Sequence, residues 1–297
     1  MTTIAFIGLG NMGGPMALNL VKAGHRVLGY DFSAAALHKA GGGGVEPTPG
    51  GAVAASQADV VITMLPTGKH LLAALEGEDG ILNGAKPGAL LIDCSTVDTD
   101  SARAAHVLAA QRGFGSVDAP VSGGVGGAVA ATLTFMVGGA DEAVALARPI
   151  LENMGKKIVH CGGPGAGQAA KICNNMILGI SMIAVSEAFI LGEKLGLSHQ
   201  ALFDVASTAS GQCWALNTYC PVPGPAPASP ANRDYAPGFA AALMLKDLNL
   251  SQAAAEGSGA FTPLGRRAAE IFTAFANAGG AEKDFSGIIA FLRAAEG

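Results

Sequence analysis

Ile4-Ala5-Phe6-Ile7-Gly8-Leu9-Gly10-Asn11-Met12-Gly13 decides the fold. Four consecutive apolar residues read as a strand covered on both faces. The glycines after it are spaced GxGxxG and open a helical pattern over 14–23. A second apolar run, Arg26-Val27-Leu28-Gly29-Tyr30, closes on Asp31, 18 residues after Gly13. Strand, glycine turn, helix, strand and acid together describe a unit that binds a dinucleotide. Gly8 permits the tight turn, Gly10 lets the backbone approach a pyrophosphate, and Gly13 lets helix and strand pack closely. With Leu9, Asn11 and Met12, these glycines form the expected cofactor turn, and the helix start offers N–H groups to phosphate. A carboxylate at Asp31 accepts hydrogen bonds from a ribose diol and repels a 2′-phosphate. NAD is therefore the expected cofactor, in preference to NADP.

Outward from this unit the alternation continues. Apolar runs at Val60-Val61-Ile62-Thr63-Met64, Ala89-Leu90-Leu91-Ile92, Ser116-Val117, Thr134-Phe135-Met136-Val137 and Lys157-Ile158-Val159-His160 read as further parallel strands. Helical patterns lie between them at 50–56, 68–76, 99–112 and 141–153. The class expected is α/β: a Rossmann-type, doubly wound sheet domain over 1–163. The Gly162-Gly163-Pro164-Gly165-Ala166-Gly167 cluster ends the alternation. After it only helices are expected, so 164–297 reads as an all-helical domain for substrate binding and oligomerisation. Its helices are expected from Gln168 to about Gly196, then at 198–209, 238–256, 262–277 and 283–294. The proline-rich stretch Pro221–Pro230 interrupts them, and Gly41–Gly44 reads as a flexible surface turn.

Composition narrows the class. Half of the 297 residues are hydrophobic and 14% are charged, against about 25% charged in an average domain. Disordered chains are charge-rich and apolar-poor, which excludes disorder. The net charge of −5 and the lack of a basic block argue against nucleic acid. The uncharged stretch between Lys171 and Glu187 is shorter than the roughly 20 residues of a spanning helix and holds two Asn, so no membrane partner is expected. The apolar run at Ile4 enters a glycine turn at once, unlike a signal peptide. Five cysteines without a CxxC pair fit reduced thiols, a cytoplasmic location and no zinc site. None of the six histidines has a Ser/His/Asp or metal-ligand spacing, which leaves hydrolase and metalloenzyme readings without support.

Several residues can carry chemistry. Lys171 lies near the start of the most apolar helix, just past the domain boundary, where it is expected to face the interdomain cleft. Burial beside a cationic nicotinamide disfavours the ammonium, which suits a general base taking an alcohol proton. Asn175 shares its helix face four residues on and can orient a substrate hydroxyl or carboxylate; Asn174 points elsewhere. Ser122-Gly123-Gly124 follows a strand, and successive N–H groups at such a turn can bind an anion. Leu65-Pro66 and Thr96 end two strands at the edge where open α/β sheets bind ligands. His70 reads as a solvated helix residue. Trp214, the single Trp, is core filler or a lid over a small substrate.

Four stretches resemble, in order, the β-hydroxyacid dehydrogenase family. They are Phe6-Ile7-Gly8-Leu9-Gly10-Asn11-Met12-Gly13-Gly14-Pro15-Met16-Ala17, Asp118-Ala119-Pro120-Val121-Ser122-Gly123-Gly124, Gly167-Gln168-Ala169-Ala170-Lys171-Ile172-Cys173-Asn174-Asn175 and Lys246-Asp247-Leu248. Gly211-Gln212-Cys213-Trp214, Pro221-Val222-Pro223-Gly224 and Lys283-Asp284-Phe285-Ser286 resemble the branch acting on (S)-3-hydroxyisobutyrate. Ala131 departs from the pattern, which usually has Gly there. The resemblance implies Lys171 as general acid/base and Ser122, Gly123 and Gly124 on the substrate carboxylate. It places Leu65, Pro66, Thr96 and Lys246 against the cofactor. The implied reaction is reversible NAD-dependent oxidation of (S)-3-hydroxyisobutyrate to methylmalonate semialdehyde, as in valine breakdown, by a homodimer or homotetramer. The rivals are a reductase of glyoxylate, succinate semialdehyde or tartronate semialdehyde, a non-catalytic NAD sensor, and a methyltransferase; the last would not explain Lys171.

Overall fold

The computed structural model describes residues 1–77 and 79–294. The chain forms two compact units, Met1–Lys171 and Ile172 onward; the division falls inside one long helix.

In the first unit the strands are β1 (Thr3–Ile7), β2 (Arg26–Tyr30), β3 (Glu46–Pro47), β4 (Val60–Thr63), β5 (Leu90–Asp93), β6 (Gly115–Asp118), β7 (Val121–Ser122), β8 (Leu133–Gly139) and β9 (Gly155–Gly162). They join in one sheet in the order β3-β2-β1-β4-β5-β6-β8-β7, with β9 beside β8. From β3 to β6 every pairing is parallel. The strand order reverses between β1 and β4, which makes the carboxyl end of β1 the topological switch point where such sheets bind ligands. Alternate residues of β1 explain the all-apolar run: Ile4 and Phe6 enter one core, Ala5 and Ile7 the other.

The expectation of parallel strands throughout fails at β8, which runs antiparallel to β6 and β7. The connection from β6 holds only β7 and the six-residue helix Gly124–Val129. That helix is about 9 Å long, too short to carry the chain back along the seven residues, roughly 23 Å, of β8. The chain therefore turns and comes back. Ala131 sits in this return at φ 53°, in the left-handed region that costs a non-glycine residue about 1–2 kcal/mol. That conformation accounts for the Gly expected there. The two-residue strands β3 and β7 escape sequence reading because neither makes an apolar run. Gly41–Gly44 closes helix Ala34–Gly41 as a surface turn, with Gly44 at φ 100°.

The second unit is helical. Helix Ala166–Lys194 enters it and is followed by His199–Ala206, Trp214–Asn217, Ala241–Ser258, Pro263–Phe275 and Ile288–Ala294. Phe189, Phe272, Phe285, Met182 and Met244 lie in its core. The proline-rich stretch is pinned rather than loose: Ser229 Oγ donates to the Cys220 carbonyl at 2.6 Å and Tyr235 donates to that of Pro221 at 2.9 Å. The short helix at Trp214 was not expected. Helix Ala166–Lys194 is long and apolar enough to cross a membrane on length and composition, but half of that apolar window is buried within the protein.

Candidate active site

Each glycine of the turn after β1 has a physical reason to be glycine. Gly8 adopts φ 97°, and a Cβ there would run into the Met64 carbonyl. A Cβ on Gly13 would collide with the Gly8 carbonyl and Phe6. Gly10 differs, because a Cβ there meets nothing within 4 Å. The first two are glycine to let the protein close on itself, and the third leaves backbone bare toward open space. Helix Gly13–Lys22 begins there with neither a side-chain cap nor an acidic residue in its first turn. An uncapped ten-residue helix behind a bare glycine fits a pyrophosphate. Asp31 borders the turn, its Oδ2 accepting from Leu9 N–H at 2.7 Å and its Oδ1 from Ser33 N–H at 2.7 Å. These residues fit a dinucleotide.

The ends of β4 and β5 are tied together beside this turn. Ser95 Oγ accepts from Leu65 N–H at 2.8 Å and itself donates to Asp93 Oδ1 at 2.6 Å. Leu65-Pro66 and Thr96 are thereby held on neighbouring strand ends, as the sequence suggests. Asp93, which sequence reading missed, is fully buried. Its Oδ1 also accepts from Thr63 at 2.7 Å, while Oδ2 finds no hydrogen-bond partner among the described residues. Burial, opposed by the Ser95 and Thr63 bonds and reinforced by nearby Asp118, raises its pKa to about 6. His70 lies at the start of helix Gly68–Glu76, exposed and bonded to Thr67 at 2.7 Å, a helix-surface residue as expected.

The sign of the Asp93 effect follows from linkage. The folded state holds this proton more tightly than the unfolded chain, so the stability it contributes is whole below about pH 4 and is lost as pH rises through 6. A shift of that size amounts to about 3 kcal/mol. Asp93→Asn keeps an acceptor for Thr63 and Ser95 and removes the ionisation. The variant should therefore gain on the wild type by up to about 3 kcal/mol as pH rises from about 4 to 7, measured by urea unfolding. A difference independent of pH would refute the assignment.

Lys171 is 7% exposed, in keeping with the burial expected of it. It lies one turn beyond Gly167 and Gln168, whose surroundings fix the helix start. Gln168 is fully buried, accepting from Val97 N–H at 3.2 Å and donating to the Ser95 carbonyl at 2.7 Å. The first turn is thus bound on both sides of Thr96. Ser122 ends β7, and Gly123 and Gly124 follow at φ 134° and 61°, conformations that disfavour any side chain.

No histidine has a local Ser/His/Asp spacing, yet folding lines up Ser116, His106 and Asp118. Ser116 Oγ meets His106 Nδ1 at 2.7 Å, and His106 Nε2 meets Asp118 Oδ1 at 2.9 Å. Helix Thr99–Gln111 carries His106 back over β6, which sequence spacing cannot reveal. The neighbouring cavity, about 10 Å³, holds at most one water and has no room for an acyl substrate.

In the second unit Asn175 is buried and donates to Asp247 Oδ2 at 2.5 Å, while Asn174 donates to Asn175 Oδ1 at 2.9 Å. Asn174 thus supports its neighbour. Asp247, which the sequence does not mark as functional, orients Asn175 and lies 3.9 Å from Lys246 Nζ. Trp214 is half exposed and not core filler. It stacks on Tyr219 at 4.7 Å, and Tyr219 donates to buried Asp284 at 2.9 Å. Asp284 also accepts from Gly238, Phe239 and Ser286, which gives Lys283-Asp284-Phe285-Ser286 a structural meaning. Among the described residues no three His, Cys, Asp or Glu side chains gather as a metal site.

Sheet topology and glycine turn are those of a dinucleotide-binding domain. The family described as the NAD binding domain of 6-phosphogluconate dehydrogenase matches residues 3–163. The one described as NAD-binding of NADP-dependent 3-hydroxyisobutyrate dehydrogenase matches 165–292. A probable 3-hydroxyisobutyrate dehydrogenase of Mycobacterium tuberculosis is 54% identical over 294 residues, covering 99% of both chains. The solved M. tuberculosis 3-hydroxyisobutyrate dehydrogenase with L-serine superposes with a TM-score of 0.94 at 55% identity, covering 99% of both chains. An NAD-dependent L-serine dehydrogenase of Pseudomonas aeruginosa is 46% identical, covering 96% of each. The chain belongs to the 3-hydroxyisobutyrate dehydrogenase branch of the β-hydroxyacid dehydrogenases, enzymes that use a nicotinamide cofactor to oxidise CH–OH donors.

Proposed function

We propose that the protein oxidises (S)-3-hydroxyisobutyrate to methylmalonate semialdehyde with NAD, reversibly, as a step of valine breakdown. The observation that carries this reading is the buried Lys171, on a helix fastened to the loop that holds Thr96. The glycine turn would hold the pyrophosphate of NAD, which would supply the acceptor for the hydride leaving C3. Lys171 removes the hydroxyl proton in that direction and returns it in reduction. Ser122 and the Gly123 and Gly124 N–H groups hold the carboxylate, Asn175 orients the substrate, and Trp214 covers the 2-methyl group. Leu65, Pro66, Thr96 and Lys246 line the cofactor. Few basic residues surround these positions, which disfavours a phosphorylated sugar acid.

A second reading has a specific motive. L-Serine has the same three-carbon chain, carboxylate and 3-hydroxyl, with an ammonium in place of the methyl. The P. aeruginosa relative is named for that substrate, and the M. tuberculosis structure was solved with it.

A panel of hydroxy acids with NAD tests the chain-length part of the proposal. A methyl group in an apolar pocket is worth about 1–3 kcal/mol, or 10–200-fold. 3-Hydroxypropionate should therefore be turned over, less efficiently than 3-hydroxyisobutyrate by no more than that range. 4-Hydroxybutyrate should lose more, since carboxylate and hydroxyl can no longer both be satisfied. If 4-hydroxybutyrate or glycolate has the higher kcat/KM, the proposal fails and the semialdehyde or glyoxylate reductase reading replaces it.

A further inference from the structure

We propose that His106 is a positioning residue for Lys171, acting through Asp118 on the start of the lysine's helix. The inference rests on Lys171 being the proton-transfer group.

Helix Ala166–Lys194 has no cap of its own, because Gly165, at φ 84°, has no side chain to supply one. Its cap comes from β6, 47 residues earlier in the chain. Asp118 Oδ1 accepts from Gly165 N–H at 2.8 Å and Oδ2 from Gln168 N–H at 2.9 Å. A buried carboxylate is well placed there, since the helix dipole favours negative charge at that end. It also satisfies donors that would otherwise be orphaned.

Both oxygens of Asp118 can face the helix only if the carboxylate plane is fixed. His106 supplies the third bond, to Oδ1, and is itself held by Ser116. The ring bridges the two groups, Nε2 toward Asp118 and Nδ1 toward Ser116.

The surroundings leave this start little freedom to shift. A Cβ on Gly138 would collide with Asp118 Oδ1 and Gly167 N, and one on Gly167 with the Met136 carbonyl and Asp118. The helix start therefore lies against the backbone of β8, with the Asp118 carboxylate of β6 lodged beside it. The position of Asp118 sets that of the first turn, and Lys171 is one turn further along the same rigid element. Ser116, His106, Asp118 and Lys171 all belong to the first compact unit. A base displaced by about 1 Å can cost on the order of 10²-fold in rate.

The test compares His106→Leu with His106→Gln in the full-length enzyme, using Lys171→Ala as reference. Gln carries an N–H near the position of Nε2 and can keep the bond to Asp118, whereas Leu keeps only bulk. His106→Leu should lower kcat by about 10²-fold and shift the ionisation seen in the pH profile of kcat/KM, while Kd for NAD stays at the wild-type value. His106→Gln should recover most of the lost kcat and the wild-type profile. Wild-type kcat in His106→Leu would overturn the proposal. Equal losses in both variants, or a loss accompanied by weakened NAD binding, would also overturn it by assigning His106 a merely structural role. An active Lys171→Ala would instead overturn the reading of Lys171.

Discussion

Lys171→Ala should abolish measurable turnover while leaving the affinity for NAD within a factor of a few of the wild type. Proton transfer by a positioned group contributes about 10²–10⁴-fold, and alanine leaves nothing at that position to accept a proton. The cofactor should still bind, because the groups proposed to hold it lie elsewhere. The glycine turn is fixed by Gly8 and Gly13 packing and by the bond from Leu9 N–H to Asp31. Steady-state kcat and a fluorescence titration of NADH measure the two effects separately. Near-normal kcat would assign the proton to another group. Joint loss of turnover and NADH binding would show that the substitution had damaged the fold.

The second large effect concerns the cofactor's 2′ position. NAD should be preferred to NADP by about 10²–10³-fold in kcat/KM. Two unit charges 4 Å apart repel by about 4 kcal/mol at an effective dielectric of 20, and a 2′-phosphate at the ribose site would meet the Asp31 carboxylate at such a range. No arginine stands next to Asp31 in the sequence to offset this; Phe32, 93% exposed, and Ser33 follow it. Asp31→Ser should bring the two cofactors toward equality, chiefly by weakening NAD, since the bond to Leu9 N–H is lost as well. Equal kcat/KM for NAD and NADP in the wild type would remove Asp31 from the ribose.

Much of this architecture is written locally. The glycine turn was legible because the roles of Gly8 and Gly13 are steric and that of Gly10 is an absence of side chain, each tied to a fixed spacing. Strands β1, β4 and β5 are legible because burial on both faces leaves a nearly unbroken apolar run. What escaped is non-local. Antiparallel β8 depends on how far a six-residue helix can reach. Ala131 shows its strain only once φ is known. The chain from Ser116 through His106 to Asp118 joins a helix to a strand at spacings that match no motif. Asp247 was visible in Lys246-Asp247-Leu248, but its bond to Asn175 spans 72 residues. Sequence reading finds residues that act through their own neighbours in the chain. It misses those that hold other residues in place.

Oxidation of a three-carbon 3-hydroxy acid whose 2-substituent is a methyl group can be checked by following NAD reduction with (S)-3-hydroxyisobutyrate and with L-serine on the same enzyme preparation. The two substrates share carboxylate, hydroxyl and chain length, so their kcat/KM ratio isolates what surrounds C2. The kcat/KM should be higher for (S)-3-hydroxyisobutyrate. A higher value for L-serine would contradict it and assign the protein to amino-acid oxidation.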